Sequence, residues 1–331
     1  MVSARRTAAE PDRVHTELER TRALFFPYIA ERKAQLVQHR IRLAHYCAAE
    51  SAVSIIRHQE IWMRNSAVMN DFTEVEYGMQ LLLTAYQGKA GAAFRQAIDD
   101  AFAGTSDKLG DLFESYRWEL RGETYLTSVS EHHPDEDALG RLSMWRSYGG
   151  TTGVALVLRP EALGIPGDPF GGLTLPVLYA DQPMFDAYMR RLAANISDAR
   201  QFIRAHDPGW FLNWLHFLLR STVLSTKHPG FSEEREWRVI HSPAILSSEF
   251  LEREIVTVAG VPQIIYKIPL PKAARPELKA LNIPSLIDRV IIGPTPHAMV
   301  ADAAFVALLA DAGVPDARKR VCVSTIPLRQ A

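Results

Sequence analysis

Alternation between apolar and polar positions divides the chain into segments before any motif is considered. Arg42-Leu43-Ala44-His45-Tyr46-Cys47 reads as a short first strand. Ala48 to His58, with Val53, Ile55 and Ile56, reads as a helix leading to a second strand at Ile61 to Arg64. Upstream, residues 1–12 read as a frayed tail, and Arg13 to Gln38 follows a helical pattern interrupted at Phe26-Pro27. Residues 1–40 are therefore predicted to form an N-terminal helical arm that packs on the domain or on a partner. Phe72 to Tyr86 and then Gly88 to Leu120, broken at Gly104-Thr105, predict a helical insertion over 72–120.

The stretch that stands out follows this insertion. Glu123 to Ser130 alternates like a strand, with Tyr125, Thr127 and Val129 on one side and Leu126, Ser128 and Ser130 on the other. Hydroxyls then lie on both faces, and each buried one needs a partner. Such a strand suits a site. The plainer alternative is an edge strand whose hydroxyls are wet.

Further on, Glu131 to Asp137 predicts a solvated polar loop, followed by a short helix that ends near Gly149-Gly150. Gly153 to Leu158 is an uninterrupted apolar run, as a central strand would be. Leu173 to Tyr179 predicts another strand. Phe185 to His206 and Trp210 to Leu224 predict helices separated by Asp207-Pro208-Gly209, with Trp210, Trp214 and Phe217 as a core stripe. After the turn at Pro229-Gly230 a strand is expected from near Glu234. Others are expected at Ile255 to Val258, Ile264 to Ile268, Arg289 to Ile292 and Arg320 to Ser324, with a helix over Pro296 to Ala312. About nine strands interleaved irregularly with helices predict an α+β fold, not a doubly wound sheet, with residues 41–331 as one domain.

Composition narrows the class. The chain has 331 residues, 47% hydrophobic and 23% charged, enough to bury a sizeable core without a staple. A net charge of −1 gives no global basic field for general nucleic-acid or membrane-surface binding. Cys47 and Cys322 lie far apart without CxxC spacing, which fits a reducing compartment and not a disulfide framework. The most apolar segment, Trp210 to Leu224, is short for a bilayer span and carries Asn213, His216 and Arg220. A cytoplasmic protein without a membrane partner is expected.

The candidate chemistry is unconventional. GxSxG, HExxH, a P-loop and a helix-opening GxGxxG are all absent. Gly149-Gly150-Thr151-Thr152-Gly153 runs from helix to strand and predicts only a tight turn. Adjacent His132 and His133 lack the i,i+4 geometry of a helical metal pair, and no metal is expected. Asn70 and Asp71 are turn residues: Asp71 would cap the helix after it, with Glu74 completing a capping box, or Asn70, Asp71 and Glu74 would be ligands. On a strand, Glu234 and Glu236 would share a face about 7 Å apart, with Arg238 continuing the row and Trp237 opposite. Such a pair favours a cation or a sugar between its carboxylates. The alternative is a surface ladder of ion pairs with Lys227.

Taken in order, these segments resemble a family. His45-Tyr46, Ile61-Trp62 with Asn70-Asp71 and Glu74, Thr127-Ser128-Val129-Ser130, Trp145 with Tyr148, Lys227, Glu234-Arg235-Glu236-Trp237-Arg238, Ile291-Ile292-Gly293-Pro294 and Ser324 to Arg329 resemble the bacterial domain-of-unknown-function family numbered twenty-nine seventy-one. That family name implies no activity. A second resemblance does: a strand with His, a strand with hydroxyls and a strand with Glu-x-Glu are similar to the split sheet of the ADP-ribosyltransferases.

This second resemblance implies a mixed or antiparallel split sheet with flanking helices, and NAD as substrate. His45 would contact the nicotinamide-side ribose. Tyr125, Thr127 and Ser128 would shape the nicotinamide pocket, and Glu236 or Glu234 would be the catalytic carboxylate. Tyr46 and Ser130 fall in the same segments. Tyr125, Trp145 or Tyr148 would stack on nicotinamide, and Lys227 or Arg238 would hold the pyrophosphate. The chain departs from the pattern by having Tyr-Leu-Thr-Ser in place of Ser-Thr-Ser, a long helical insertion before it and a Trp/Tyr helix after it. The expected activity is that of an ADP-ribosyltransferase or NAD glycohydrolase with a protein or nucleic-acid acceptor, in a role such as a bacterial defence or toxin effector. Two alternatives stay open. One is a non-catalytic module that binds a nucleotide or a partner. The other is a metal-dependent nuclease built on Asp71, Glu74 and the Glu pair.

Overall fold

The computed structural model describes residues 9–69, 74–163, 173–243, 247–271, 278 and 280–328. Their helices are α1 (Ala9–Phe25), α2 (Pro27–Gln38), α3 (Ala49–His58), α4 (Glu74–Gln87), α5 (Lys89–Ala101), α6 (Thr105–Ser115), α7 (Arg117–Gly122), α8 (Leu142–Tyr148), α9 (Gln182–Asp198), α10 (Arg200–Arg204), α11 (Pro208–Leu224), α12 (Ile283–Leu286) and α13 (Ala298–Asp311). The strands are β1 (Arg42–Ala48), β2 (Glu60–Asn65), β3 (Tyr125–His132), β4 (Gly153–Leu158), β5 (Leu173–Pro176), β6 (Leu178–Tyr179), β7 (Thr226–Lys227), β8 (Glu236–His241), β9 (Glu252–Val258), β10 (Val261–Pro269), β11 (Ile287–Ile292) and β12 (Val321–Val323). The fold is mixed α+β, with an open mixed sheet and flanking helices.

The sheet forks at β3. Along one edge β3 pairs with β8 from Tyr125↔His241 to Ser130↔Glu236, and β5 lies beyond β8. On the other edge its C-terminal end pairs with β1, through Arg42↔His132, Leu43↔Glu131 and Ala44↔Ser130. Its N-terminal end pairs with β2, through Arg64↔Leu126 and Asn65↔Tyr125. Between these two pairings Thr127, Ser128 and Val129 have no ladder partner on that edge. One branch continues β1-β4-β11-β12 and the other β2-β10-β9, with α3 linking the branches. A cleft therefore opens against the middle of β3, where the hydroxyl run lies.

Alternation then sorts side chains to the two faces. Leu43, Val129, Leu156, Trp237 and Val239 join one core, which α3 and α13 cover through Ile55, Ile56, Phe305 and Leu309. On the opposite face, Leu126, Leu175 and Ile240 enter a helical layer built from α4, α5, α9 and α11. Nearer β4, that same face packs Ala44, Tyr46, Ala155 and Ile291 against Met144 and Trp145 of α8. Ser128, Glu236 and Arg238 alternate onto this second face. They lie between its two apolar clusters.

The N-terminal arm belongs to the helical layer. Phe25 stacks on Trp214 at 5.9 Å and meets Trp210 edge-on at 6.0 Å, while Phe26 meets Phe217 at 5.4 Å. Such aromatic pairs add roughly 0.5–1.5 kcal/mol beyond burial, so the predicted stripe on α11 is what anchors the arm. Asp207 caps α11 by accepting from the Trp210 N–H at 2.9 Å, with Pro208 in the first turn.

Several boundaries differ from expectation. Glu131 and His132 are not solvated loop but the buried end of β3; the His132 ring bonds Asp137 at 2.9 Å and Glu131 accepts from the Trp237 indole at 2.9 Å. The run Leu173 to Tyr179 divides into β5 and β6 because β6 leaves the main sheet to pair with β7. The helix expected over Phe185 to His206 starts earlier, at Gln182 behind an Asp181 cap, and is interrupted at Ala199. Cys47 and Cys322 are free and half-buried, and burial pushes the Cys47 thiol up to about 12. Among the described residues no helix is long and apolar enough to cross a membrane.

Candidate functional site

A cavity of about 300 Å³ occupies the fork. β1 contributes His45, β3 contributes Thr127 and Ser128, and the approach to β8 contributes Glu234 and Glu236; Trp62 and Arg64 of β2 and Tyr148 of α8 complete the walls. His45, Ser128 and Glu236 are remote in sequence. Their strands β1, β3 and β8 are neighbours in the sheet, and this brings them together.

His45 spans the unpaired stretch of β3. Its Nδ1 lies 2.9 Å from the Ser128 carbonyl oxygen, which can only accept, so Nδ1 carries the proton and Nε2 the lone pair. Burial lowers its pKa, outweighing the bond to Ser128, and keeps the ring neutral. A neutral imidazole with a free Nε2 accepts from hydroxyl donors. That is the polarity a sugar presents.

Glu236 is the electrostatic centre. Ser128 Oγ donates to Oε1 at 2.6 Å, Arg238 donates to Oε1 from Nε at 3.0 Å and to Oε2 from Nη2 at 3.3 Å, and Lys227 Nζ lies 3.3 Å from Oε2. Arg238 also donates to the Leu224 carbonyl at 2.8 Å and is only 1% exposed. Burial alone would raise the Glu236 carboxyl; the charges of Arg238 and Lys227, helped by hydrogen bonds from Arg238 and Ser128, outweigh it and hold the group well below the usual carboxylate range. Glu236 is therefore ionised throughout the physiological range. Its backbone N–H donates to the Tyr179 hydroxyl at 2.8 Å, which fixes the first residue of β8 against β6.

Glu234 arrives by a different route from the one expected. It does not share a strand face with Glu236: residues Pro229–Glu234 form a 3-10 turn, and Arg235 is left-handed, with φ 45 and ψ 46. Lys227 nevertheless joins the carboxylates, donating to Glu234 Oε2 at 2.7 Å. The Tyr148 hydroxyl donates to Glu234 Oε1 at 2.9 Å. Burial and then the Glu234 charge raise the Tyr148 pKa, so it stays a phenol. The surface ladder of ion pairs is excluded, because Lys227, Glu236 and Arg238 are all buried.

Other expected site residues are placed differently. Trp145 is 1% exposed, packs edge-on to Tyr46 at 4.8 Å and donates to the Leu139 carbonyl at 2.9 Å; it fills a socket of glycines and does not line the fork. Tyr125 is buried against Tyr266, 4.7 Å between centroids, and also misses the cavity. Neither can stack on a ligand there. Tyr46 lines the wall, but its hydroxyl accepts from the Arg141 N–H at 3.1 Å. Ser130 donates to the Glu234 carbonyl and accepts from Arg141 Nη2, so it positions the turn that carries Glu234. Arg238 and Lys227 are engaged with the carboxylates and do not present free cations for a pyrophosphate. Asn70 and Asp71, and the side chain of Glu74, lie outside the described residues.

Sequence reasoning missed Trp62, Arg64, Arg141 and Tyr179. Trp62 and Arg64 were legible as an aromatic and a cation alternating onto one face of β2. Arg141 and Tyr179 leave no such trace, since their partners are remote in sequence: Arg141 reaches Ser130 and the Glu233 carbonyl, and the Tyr179 hydroxyl accepts from the Glu236 N–H.

Acid should unfold the protein in two stages. Burial pushes His216 and His241 down to about 4, with the Arg220 charge adding to the effect at His216. The unfolded chain would protonate them near 6.5 and the folded one only near 4, so stability falls as pH drops between those values, by roughly 3 kcal/mol per group. Glu236, with its folded value depressed, contributes fully above its ordinary 4.5 and loses that contribution below it. Urea midpoints measured from pH 7 to pH 3 should fall first in the histidine window, and His216→Leu should remove part of that fall. Midpoints level down to pH 5 would contradict it.

The fork brings paired carboxylates, a neutral histidine and the hydroxyls of one strand to a small cleft in a mixed α+β fold. Residues 144–239 match the model of the family described as Protein of unknown function (DUF2971). The matched segment runs from α8 to β8 and carries Tyr148, Lys227, Glu234, Glu236 and Arg238. No curated protein and no solved structure matches the chain.

Proposed function

We propose that the fork binds NAD and cleaves its nicotinamide–ribose bond, transferring the ribosyl group to water or to another acceptor, as an ADP-ribosyltransferase or NAD glycohydrolase does. The observation that carries this reading is the convergence of His45, Ser128 and Glu236 from adjacent strands onto one cavity. The order histidine strand, hydroxyl strand, glutamate strand is the one the split-sheet resemblance implies. The volume, about 300 Å³, is at the small end of ligand pockets and suits the nicotinamide ribosyl half, with the rest of the dinucleotide outside.

The chemistry follows from the charges. In this reaction the C1′–N bond breaks with its electron pair leaving on nicotinamide, whose ring nitrogen loses its positive charge while C1′ becomes oxocarbenium-like. An acceptor oxygen or nitrogen then bonds to C1′ and releases a proton. A carboxylate held ionised beside the ribose stabilises the developing cation. Glu236, too acidic to exchange protons near neutrality, suits that electrostatic role and not general acid or base work. His45 Nε2 would accept from a ribose hydroxyl, and Ser128 would hold Glu236 in place.

The test is direct: purified protein incubated with NAD should release nicotinamide, detected chromatographically, with or without transfer to added protein or RNA. Protein that neither binds nor cleaves NAD would remove this reading. A second reading, a nucleotide-binding module without turnover, is favoured by one observation: Glu236 already accepts from Ser128, Arg238 and Lys227. NAD binding that is tight, stoichiometric and without products would select it.

A further inference from the structure

We infer that Arg64 is an anion anchor of the fork and takes a phosphate group of the ligand. For a dinucleotide, that group is the phosphate next to the nicotinamide ribose. The substrate assignment rests on the function proposed above; the anion site itself does not.

The inference comes from charge compensation around the cavity. Every carboxylate lining it has a cation: Glu234 has Lys227 at 2.7 Å, Glu236 has Arg238 at 3.0 Å and Glu60 has Lys267 at 3.1 Å. His45 is neutral. Arg64 also lines the cavity, yet its contacts are uncharged: Nε donates to Gln263 Oε1 at 3.2 Å, and Nη2 donates to the Val68 carbonyl at 3.3 Å. Among the described residues no carboxylate pairs with it. Among the described residues, Arg64 is thus the one cation lining the cavity that has no carboxylate partner, while Lys267 is shared by Glu60 and Glu254.

The two neutral contacts orient the guanidinium without neutralising it, and among the described residues Nη1 makes no hydrogen bond. A planar fork with a free edge is suited to phosphate oxygens. Arg64 stands where β2 joins β3, at the mouth of the unpaired stretch, opposite Leu126. Trp62, two residues earlier on the same strand face, lines the same cavity. An aromatic plane beside a cation matches a ring joined through a sugar to a phosphate.

Calorimetry on the full chain with nicotinamide mononucleotide, nicotinamide riboside and ribose 5-phosphate tests this, comparing wild type with Arg64→Gln. Gln keeps hydrogen-bonding capacity and removes the charge. The wild type should bind the mononucleotide at least tenfold more tightly than the riboside. Arg64→Gln should lose that preference and most of the ribose 5-phosphate affinity while leaving riboside binding unchanged. Circular dichroism and melting temperature confirm that the variant folds, and Arg64→Lys, keeping the charge without the fork, should recover part of the loss. Equal affinity for mononucleotide and riboside in the wild type, or an equal loss of both in Arg64→Gln, would overturn the anchor. Ribose 5-phosphate binding that depends on Arg64 in a protein inert toward NAD would keep the anchor and discard the NAD reading. NAD cleavage with an unchanged KM in Arg64→Gln would do the reverse.

Discussion

Glu236→Gln is expected to lower nicotinamide release from NAD by roughly a hundredfold to a thousandfold, the loss typical of removing one preorganised electrostatic contact from a charged transition state. The fall should appear in kcat with little change in KM, since the carboxylate acts on charge that develops only as the bond breaks. The substitution is close to isosteric but not silent. All the side-chain contacts to Glu236 are donations, from Ser128, Arg238 and Lys227. A glutamine amide places an NH₂ against some of those donors in either orientation. A modest loss of stability, about 1–3 kcal/mol, should accompany the loss of rate. Ser128→Ala separates the two effects, because it removes one hydrogen bond and leaves the charge; its rate should fall about tenfold or less. The pH profile adds a check on mechanism: with Glu236 held ionised, the wild-type rate should not decline through Glu236 protonation between pH 8 and pH 5. Glu236→Gln with full activity would remove the residue from the chemistry.

Which parts of this site could be read from sequence depends on how each contact is made. β1, α3 and β2 were legible because a short apolar run, a helical repeat and a second apolar run carry their own periodicities. The alternation of Ser128 and Leu126 away from Tyr125 and Val129 was equally plain, and it correctly assigned faces. The Glu-x-Glu pair was located but for the wrong reason. Strand alternation would align Glu234 with Glu236, whereas the chain turns through a left-handed Arg235 and Lys227 gathers the two carboxylates.

Nothing local marks Arg235 for that conformation, which non-glycine residues seldom adopt. It is held by remote partners, Glu136 at 3.1 Å and the Glu131 N–H, which donates to its carbonyl at 2.9 Å. Trp145 and Tyr148 show the same limit on a short helix. Spacing puts them on one side, but Trp145 turns into a socket where added Cβ atoms at Gly140 and Gly293 would lie 2.4 and 2.9 Å from its ring, and only Tyr148 reaches the carboxylates. Those glycines were visible in the sequence. Their spatial closeness to one indole was not.

Arg238→Met should be the most destabilising single change at the site, costing about 3–5 kcal/mol, because it leaves a buried carboxylate short of a partner. Glu236 is 7% exposed, so water cannot replace the lost donors, and the Leu224 carbonyl loses its donor as well. Lys227 would remain, shared with Glu234. The carboxyl pKa should then rise, since burial is the largest influence on it and the charge of Arg238 is the largest opposing one. The diagnostic is the double variant. If the cost arises from stranded charge, adding Glu236→Gln to Arg238→Met should restore much of the lost stability, so that the pair of changes costs less than Arg238→Met alone, with a coupling of several kcal/mol in the cycle. If the guanidinium mattered only for its volume, the two losses would add. The same cycle bears on catalysis: a carboxylate that needs a buried guanidinium to remain charged is one whose charge is worth maintaining against desolvation. Retained charge is what an oxocarbenium-like ribose requires and what a purely apolar cleft would not supply. Arg238→Met should therefore reduce nicotinamide release more steeply at pH 5 than at pH 8, because a raised Glu236 pKa lets protons compete for the carboxylate. Urea titrations at both pH values would identify any loss due to unfolding, and a rate ratio independent of pH would break the link between the ion pair and the chemistry.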